Sequence, residues 1–126
     1  DTAGGDDTIY ALGGEDILIG GAGDDFLRGG ADNDTYIFRP GFGNDRIVES
    51  GAYNGELDSG GDIIEFHGIT RASVTQETDS QGRQTLHVGA DSIFIPSQFS
   101  NHGSGALVEY VRFGADGDLI PIELLI

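Results

Sequence analysis

The sequence predicts an all-β fold in which a parallel coil of short strands is followed by a small β-rich capping region. Three observations predict it. Aspartates recur every nine residues near the start of the chain, glycine makes up 22 of the 126 residues, and apolar residues in the second half alternate with polar ones. A strict period over four units indicates one small structural unit stacked on itself.

Each repeat unit divides into a turn and a strand. Its first six places are rich in Gly and Asp, which cannot hold a helix but suit a tight turn. Its last three places are β-branched, aromatic or aliphatic, which favours a very short strand. The sixth place carries an aspartate in the four regular units (residues 2–37), in a looser fifth unit (40–48) and in a remnant (60–66): Asp7, Asp16, Asp25, Asp34, Asp45 and Asp62.

The eighth place of each unit is predicted to point into a shared core, because side chains alternate across a strand. Places seven and nine then point outward. Because each unit is a turn followed by a strand, two units make one full circuit of the coil. Odd units therefore stack on one side and even units on the other. The predicted core column is Ile9, Leu18, Leu27, Tyr36 and Ile47.

This stacking brings carboxylates together. Neighbouring strands lie ~4.8 Å apart, so Asp7, Asp25 and Asp45 form one column, and Asp16 and Asp34 another. Two carboxylates ~5 Å apart repel by roughly 3 kcal/mol at an effective dielectric near 20. Such columns require a cation. Carboxylates and turn carbonyls form an all-oxygen cage that suits Ca²⁺, whereas Mg²⁺ demands stricter octahedra and Zn²⁺ prefers Cys or His.

The units resemble the glycine-rich nonapeptide GGxGxDxUx of RTX proteins. Residues 20–28, GGAGDDFLR, match it at every fixed place, whereas Thr2, Ala3, Ala11 and Leu12 replace glycines and Asp32 replaces the glycine of place four. The resemblance implies a parallel β-roll that holds Ca²⁺ between turns two units apart. Residues 36–49, 62–69 and 111–120 also resemble the folded region that follows RTX repeats in several secreted toxins and enzymes.

Carried over residue by residue, the resemblance implies two to four calcium ions. The carboxylate ligands would be the six place-six aspartates, with the pairs Asp7/Asp25 and Asp16/Asp34 matching best. The turn residues implied as carbonyl ligands or as part of the metal turns are Gly4, Gly5, Gly13, Gly14, Gly20, Gly21, Ala22, Gly23, Gly29, Gly30, Ala31 and Asp32.

The chain is predicted to divide into a repeat array at 1–50, which continues upstream of this segment, and a β-rich cap at 51–126. Candidate cap strands are 62–67, 73–78, 84–88, 92–95, 107–113 and 119–124, and Tyr36, Phe38 and Phe42 are bulky enough to seal the core. The even side offers an outward apolar strip, Ile17, Ile19 and Ile37, on which we expect the cap, a further domain or another chain to pack.

The amino-acid composition restricts the classes of partner that the chain can bind. The net charge is −16, with six Arg and no Lys, which argues against nucleic acid and anionic membranes and favours a cation. The absence of Cys excludes disulfides and thiol catalysis. No apolar run is long enough to suggest a transmembrane segment.

No catalytic constellation is recognisable. His67, His87 and His102 share no metal-ligand spacing, and Ser104 lies outside any nucleophile elbow. We therefore expect a non-catalytic module, although the parent protein can be an enzyme or a toxin.

Two functions are compatible with the sequence. The first is a calcium-binding RTX module that folds on Ca²⁺ outside a bacterial cell and supports type I secretion of a larger protein; secretion and extracellular location are implied by the resemblance. The alternative is an accessory module that binds a carbohydrate or a receptor. Outward Arg28 and Arg46, near Tyr10 and Phe26, could cradle an acidic sugar.

Overall fold

A computed structural model describes residues 4–11, 14–29, 33–47, 52–53, 56–57, 62–78, 80, 84–95, 108–114 and 120–121. These residues form β-strands joined by turns, with a single 3₁₀ turn at Arg71–Ser73 and no α-helix in the described ranges. The prediction of an all-β fold is confirmed. In this part of the chain no helix is long and apolar enough to cross a bilayer.

The strands of the four regular repeats form at the predicted places, and the strand of the fifth unit begins two residues earlier than predicted, at Asn44. Each follows a glycine-rich turn, and its burial alternates as the pattern requires. The five strands are β1 (Thr8–Tyr10), β2 (Ile17–Leu18), β3 (Phe26–Arg28), β4 (Thr35–Phe38) and β5 (Asn44–Ile47).

The strands of odd units pair in parallel, as predicted, and we call the sheet that contains them the odd sheet. Thr8 pairs with Phe26, and Phe26 with Arg46. The strands of even units pair likewise in the even sheet, where Ile17 pairs with Thr35. The chain therefore alternates between two sheets, and one circuit takes two units.

Later strands either extend these two sheets or form a separate hairpin. They are β6 (Ala52–Tyr53), β7 (Glu56–Leu57), β8 (Asp62–Phe66), β9 (Val74–Thr78), β10 (Gln84–Val88), β11 (Asp91–Ile95), β12 (Val108–Phe113) and β13 (Ile120–Pro121). Strand β11 joins β5 in parallel and carries β10 and β9 antiparallel, while β8 joins β4 in parallel, followed by β12 and β13. Strands β6 and β7 form a separate hairpin that the sequence analysis missed.

The core lies between the two sheets. Leu18, Leu27, Tyr36 and Ile47 are buried and Ile9 is partly buried, so the predicted column is confirmed. The buried Tyr36 hydroxyl accepts a hydrogen bond from the Gly29 N–H (2.8 Å). This bond satisfies the one polar atom that Tyr36 brings into the core.

An aromatic cluster fills the core where the regular units end. Phe38 packs edge-on against Phe42 (5.0 Å between ring centroids) and lies 6.1 Å from Phe66, which stacks on Phe113 at 5.4 Å. Phe38 and Phe42 are buried, as the sequence predicted. Residues from both halves of the chain thus share one packing unit; the boundary at residue 50 stays a prediction.

The apolar strip of the even sheet is covered only in part. Ile17 is 68% exposed, so the prediction that the cap packs on it is wrong for the isolated chain. Ile19 and Ile37 are half-buried and line a shallow groove with Arg39 and Phe42. Packing of another domain or chain on Ile17 stays a prediction.

Candidate metal centre

The place-six aspartates link successive layers of the stack. The Asp7 N–H donates to Asp25 Oδ1 (2.9 Å), and the Asp25 N–H donates to Asp45 Oδ1 (2.8 Å). On the even side, the Asp16 N–H donates to Asp34 Oδ1 (3.0 Å). Each carboxylate therefore reaches back to the layer before it and holds the layers in register.

The second oxygen of these carboxylates is left over. Oδ2 is buried and accepts no hydrogen bond in Asp7, Asp16, Asp25 and Asp45. Burying a carboxylate oxygen without a partner is costly, and such groups are normally paired or bound to metal. These four residues thus each present an unused carboxylate oxygen, which is the donor that a hard cation needs.

Burial and mutual repulsion act on the pKa of these acids. Burial raises the pKa of Asp25, and the charges of Asp7, Asp6 and Asp24 raise it further, against a backbone hydrogen bond that lowers it. For Asp45, burial followed by the charges of Asp25 and its acidic neighbours raises the pKa to about 7. The repulsion between carboxylates that the sequence predicted is therefore present in the fold. A bound divalent cation would offset this repulsion and lower the pKa of these acids.

Glycines make room for the carboxylates and for close stacking. A Cβ on Gly20 would overlap Asp25 Oδ2, and one on Gly29 would overlap the Asp34 carboxylate. At place four, Gly23 (φ 108°) and Gly43 (φ 91°) adopt left-handed backbone angles. A Cβ on Gly43 would overlap the carbonyl oxygen of Gly23 in the layer before it.

The donor set fits calcium. Within the described residues no group of three or more His, Cys, Asp or Glu side chains converges on one point. In this part of the chain side chains alone therefore do not form a cage, and an ion held there would need backbone carbonyls as further ligands. A mixture of carboxylate and carbonyl oxygens suits Ca²⁺ rather than Zn²⁺.

The structure places most residues of the predicted site in the turns between strands. Gly4, Gly5, Gly14, Gly20, Gly21, Ala22, Gly23 and Gly29 precede the strands as expected, whereas Gly13, Gly30, Ala31 and Asp32 lie outside the described residues. Asp62 begins β8, and its neighbour Ile63 pairs with Thr35. The backbone register therefore places Asp62 after Asp34 as a third layer of the even column.

Sequence reasoning missed the residues at place five. The Asp24 N–H donates to Asp6 Oδ1 (2.9 Å), the Asn44 N–H donates to Asp24 Oδ1 (3.0 Å), and Ser92 Oγ donates to Asn44 Oδ1 (2.9 Å). These side chains reach forward along the stack, opposite to those of place six. The signal was visible, because place five of all five units holds a side-chain oxygen.

The odd column ends at β11. Ile93 pairs with Asp45 and is fully buried, so an apolar side chain occupies the place that an aspartate holds in earlier layers. Asp91 accepts hydrogen bonds from the N–H groups of Gly41 (3.1 Å) and Gly43 (3.3 Å). The carboxylate of the first residue of β11 thus satisfies two backbone N–H groups of the last layer.

The described histidines bind carboxylates. His67 Nε2 lies 2.5 Å from Glu65 Oε2, and His87 Nε2 lies 3.0 Å from Glu77 Oε2. His102 lies outside the described residues. The absence of catalytic activity remains an expectation.

Stacked turns with buried carboxylates define a calcium-binding repeat array. A family model of the RTX calcium-binding nonapeptide repeat matches residues 1–36 in four copies. Residues 1–36 therefore belong to the RTX repeat family, whose repeats bind calcium. No curated protein matches the chain.

Proposed function

We propose that this chain is a calcium-responsive folding module. Its repeats form a parallel β-roll, the region after residue 50 closes that roll, and the whole folds when Ca²⁺ binds outside the cell. The observation that carries the proposal is the set of stacked aspartates whose Oδ2 atoms are buried without a hydrogen bond, as in Asp7, Asp25 and Asp45.

Carboxylates, turn carbonyls and glycines would each have a separate role in calcium binding. The place-six carboxylates and the carbonyls of the glycine turns would hold the ion, which supplies positive charge between acidic layers. Glycines such as Gly20 and Gly43 keep Cβ atoms out of that space. The short strands bury the core only when the turns stack, so cation binding and core formation are coupled.

The free energy of calcium binding is large enough to decide whether the chain folds. Extracellular calcium modules bind with a Kd of ~10⁻⁴–10⁻³ M. A site at ten times its Kd adds about 1.4 kcal/mol to the free energy of unfolding, and two to four sites add roughly 3–6 kcal/mol. That is comparable to the total stability of a small domain.

This behaviour suits export through a one-step secretion channel. A chain that stays unfolded in calcium-poor cytosol can be threaded, and folding outside prevents its return. Support for this role comes from the RTX repeats of residues 1–36, since such repeats occur in secreted bacterial proteins.

A calcium titration followed by far-UV circular dichroism and calorimetry tests the proposal. We expect a β-sheet signal to appear between about 10⁻⁴ and 10⁻² M Ca²⁺ and to be lost with EGTA. Calorimetry should count two to four ions. Unchanged spectra across the titration, or a compact form that persists in EGTA at pH 8, would contradict the proposal.

Paired variants test the assignment of the ligand. Asp25→Asn removes a buried carboxylate oxygen and should shift the calcium midpoint about tenfold upward, because affinity follows the charge of the ligand set. Asp24→Asn is the matched control. Asn44 fills the equivalent place in the fifth unit, so the amide can keep the hydrogen bond to the next layer. Equal shifts in the two variants would contradict the assignment.

A further inference from the structure

The outer face of the odd sheet carries an arrangement that calcium binding does not use. We call Tyr10, Phe26, Arg28, Arg46 and Phe94 the arginine–aromatic face. Strand register places Phe26, Arg46 and Phe94 in one row across three strands. Tyr10 pairs with Arg28 in a second row. The five side chains thus lie on the same side of the odd sheet in two adjacent rows.

The two arginines of this face have no acidic partner among the described residues. Both are exposed, and the ion pairs of the described chain use Arg112, His67 and His87 instead. This is notable in a chain with 22 acidic residues and six arginines. Acids are also absent from the outward positions of β1, β3, β5 and β11. The nearest acids are Asp6 and Asp24, two residues before Thr8 and Phe26, and the Oδ1 atom of each accepts a backbone hydrogen bond within the stack. On the other side, Glu77 lies two strands beyond Phe94, where it contacts His87.

The aromatic side chains of the face are held in defined positions while remaining open to solvent. Tyr10 is 58% exposed and packs edge-on against Phe26, with ring centroids 5.9 Å apart. The Arg46 guanidinium lies over the Phe94 ring, 5.6 Å from its centroid. Stacking of this kind pre-orients a guanidinium, so less side-chain freedom is lost when it binds an anion.

We propose that the arginine–aromatic face binds an extended acidic polysaccharide that carries carboxylate groups. The Arg28 and Arg46 guanidinium groups can pair with successive carboxylates, because the guanidinium fork matches carboxylate geometry. The exposed rings offer apolar surface to the faces of sugar rings. Thr8 adds a hydroxyl beside Phe26 in the same row.

Charge complementarity selects this occupant. The rest of the molecule is acidic, so an anionic ligand is repelled everywhere except at a surface with free guanidinium groups. A nucleic acid, with its dense phosphate charge, needs many cationic contacts, and this face provides two arginines. A polysaccharide with widely spaced carboxylates needs fewer cationic side chains. Its sugar rings can also pack on the aromatic side chains of the arginine–aromatic face.

This inference rests on the proposed function, because the face exists only when β1, β3, β5 and β11 are stacked. Calcium supplies that stacking and also reduces the net negative charge. Binding of the polysaccharide should therefore require calcium. The reverse does not hold, and calcium-induced folding should proceed without any sugar.

The test is calorimetric titration of the calcium-saturated chain with short oligogalacturonate, which avoids gelation. A neutral glucan oligomer of equal length, poly-glutamate and dextran sulfate are compared with it. We expect oligogalacturonate to bind and the neutral oligomer not to bind. Tighter binding of poly-glutamate would overturn the sugar assignment. Tighter binding of dextran sulfate would overturn the carboxylate assignment.

Three variants that each remove one positive charge locate the site. Arg28→Ala and Arg46→Ala should each weaken oligogalacturonate binding about tenfold, the equivalent of one charge-assisted hydrogen bond. Arg39→Ala is the matched control, since Arg39 is exposed but lies beside the groove of the even sheet. It should change the affinity less than twofold. Equal losses in all three variants would overturn the proposed site.

Circular dichroism of every variant in calcium separates the two proposals. A variant that folds with the wild-type calcium midpoint but no longer binds sugar supports the arginine–aromatic face. Absence of sugar binding by the folded wild-type chain overturns the face and leaves the calcium module intact. Failure of the wild-type chain to fold in calcium overturns the proposed calcium function itself.

Discussion

At the scale of single residues, two glycines of the fifth unit show two different reasons for glycine in a turn. Gly41 and Gly43 have similar left-handed angles, φ 84° and 91°. A Cβ on Gly41 would meet open space, whereas one on Gly43 would overlap the Gly23 carbonyl. Gly43 is therefore needed both for its backbone angle and for the close approach of the next layer. At Gly41 only the backbone angle favours glycine.

Alanine substitutions at these two glycines should separate the requirements. Gly41→Ala should lower the free energy of unfolding by about 1 kcal/mol, the cost of a left-handed angle for an L-residue. Gly43→Ala should lower it by about 3 kcal/mol, because the stacked backbone must also move. Urea denaturation in saturating calcium measures both. Equal losses would show that layer spacing at Gly43 is less tight than described.

At the scale of the strands, a buried ion pair joins β8 to β12 in the even sheet. Glu65 is 4% exposed, and its carboxylate accepts hydrogen bonds from Arg112, with Nε at 2.8 Å, and contacts His67. Burial raises the pKa of Glu65, but the His67 and Arg112 hydrogen bonds outweigh it and lower the pKa below its ordinary value of 4.5. The carboxylate is therefore charged in the fold and fixes the pairing of two strands that are distant in sequence.

Glu65→Gln should lower the free energy of unfolding by roughly 2 kcal/mol at pH 7, since it removes a charged hydrogen-bond acceptor from a buried site. Because the folded-state pKa is lowered, the contribution of Glu65 is complete above pH 4.5 and is lost as the pH falls through the folded pKa. The wild type and the variant should converge in urea denaturation at low pH.

The exposed pair of Glu77 and His87 provides the control. Glu77 is 72% exposed, so Glu77→Gln should change the free energy of unfolding by less than about 0.5 kcal/mol. If this variant were as destabilised as Glu65→Gln, burial would not be the reason for the effect at Glu65.

At the scale of the whole molecule, charge balance decides whether the fold forms. Twenty-two acidic residues face six arginines, which gives a net charge of −16. The stacked fold concentrates part of that charge at buried positions, including Asp25 and Asp45. Anything that neutralises these positions should favour the stacked state, and protons can act in the same direction as calcium.

In calcium-free buffer, lowering the pH from 8 to 5 should increase the β-sheet content. Asp45 ionises near 3.8 when unfolded and near 7 in the fold. Between these values the folded chain holds one more proton, so stability rises as the pH falls, by up to about 4 kcal/mol at low pH. Circular dichroism and urea denaturation measure the change.

Asp45→Asn should flatten this pH dependence, because the amide is neutral throughout. With calcium present the direction should reverse, because protons then compete with the cation for the same oxygen atoms. A calcium-free chain that becomes less structured on acidification would contradict the charge argument.

The repeats could be predicted from the sequence because each unit carries its own signals. Glycine and aspartate fix the turn, and the residue at place eight fixes the inward face, so Leu27 and Ile47 are buried as expected. The carboxylate columns follow from the nine-residue period. Within the described repeats, the hydrogen bonds that the side chains of places five and six make between layers were not predicted.

Contacts beyond residue 50 could not be predicted in the same way. The addition of β8 to β4 and of β11 to β5 depends on contacts between distant residues, for which no period exists. The pairing of Glu65 with Arg112 depends on that register. Ile93 in the aspartate column becomes recognisable only when β11 is placed next to β5.

The two-unit circuit also constrains how the length of such an array can change. Residues eighteen apart, such as Asp7 and Asp25, are direct neighbours in the stack. Removing eighteen residues would shorten the stack and return each remaining strand to its own side. Removing nine would transfer every earlier strand to the opposite side, and Tyr10 would lose its contact with Phe26. Insertions and deletions should therefore be tolerated by pairs of units rather than by single ones.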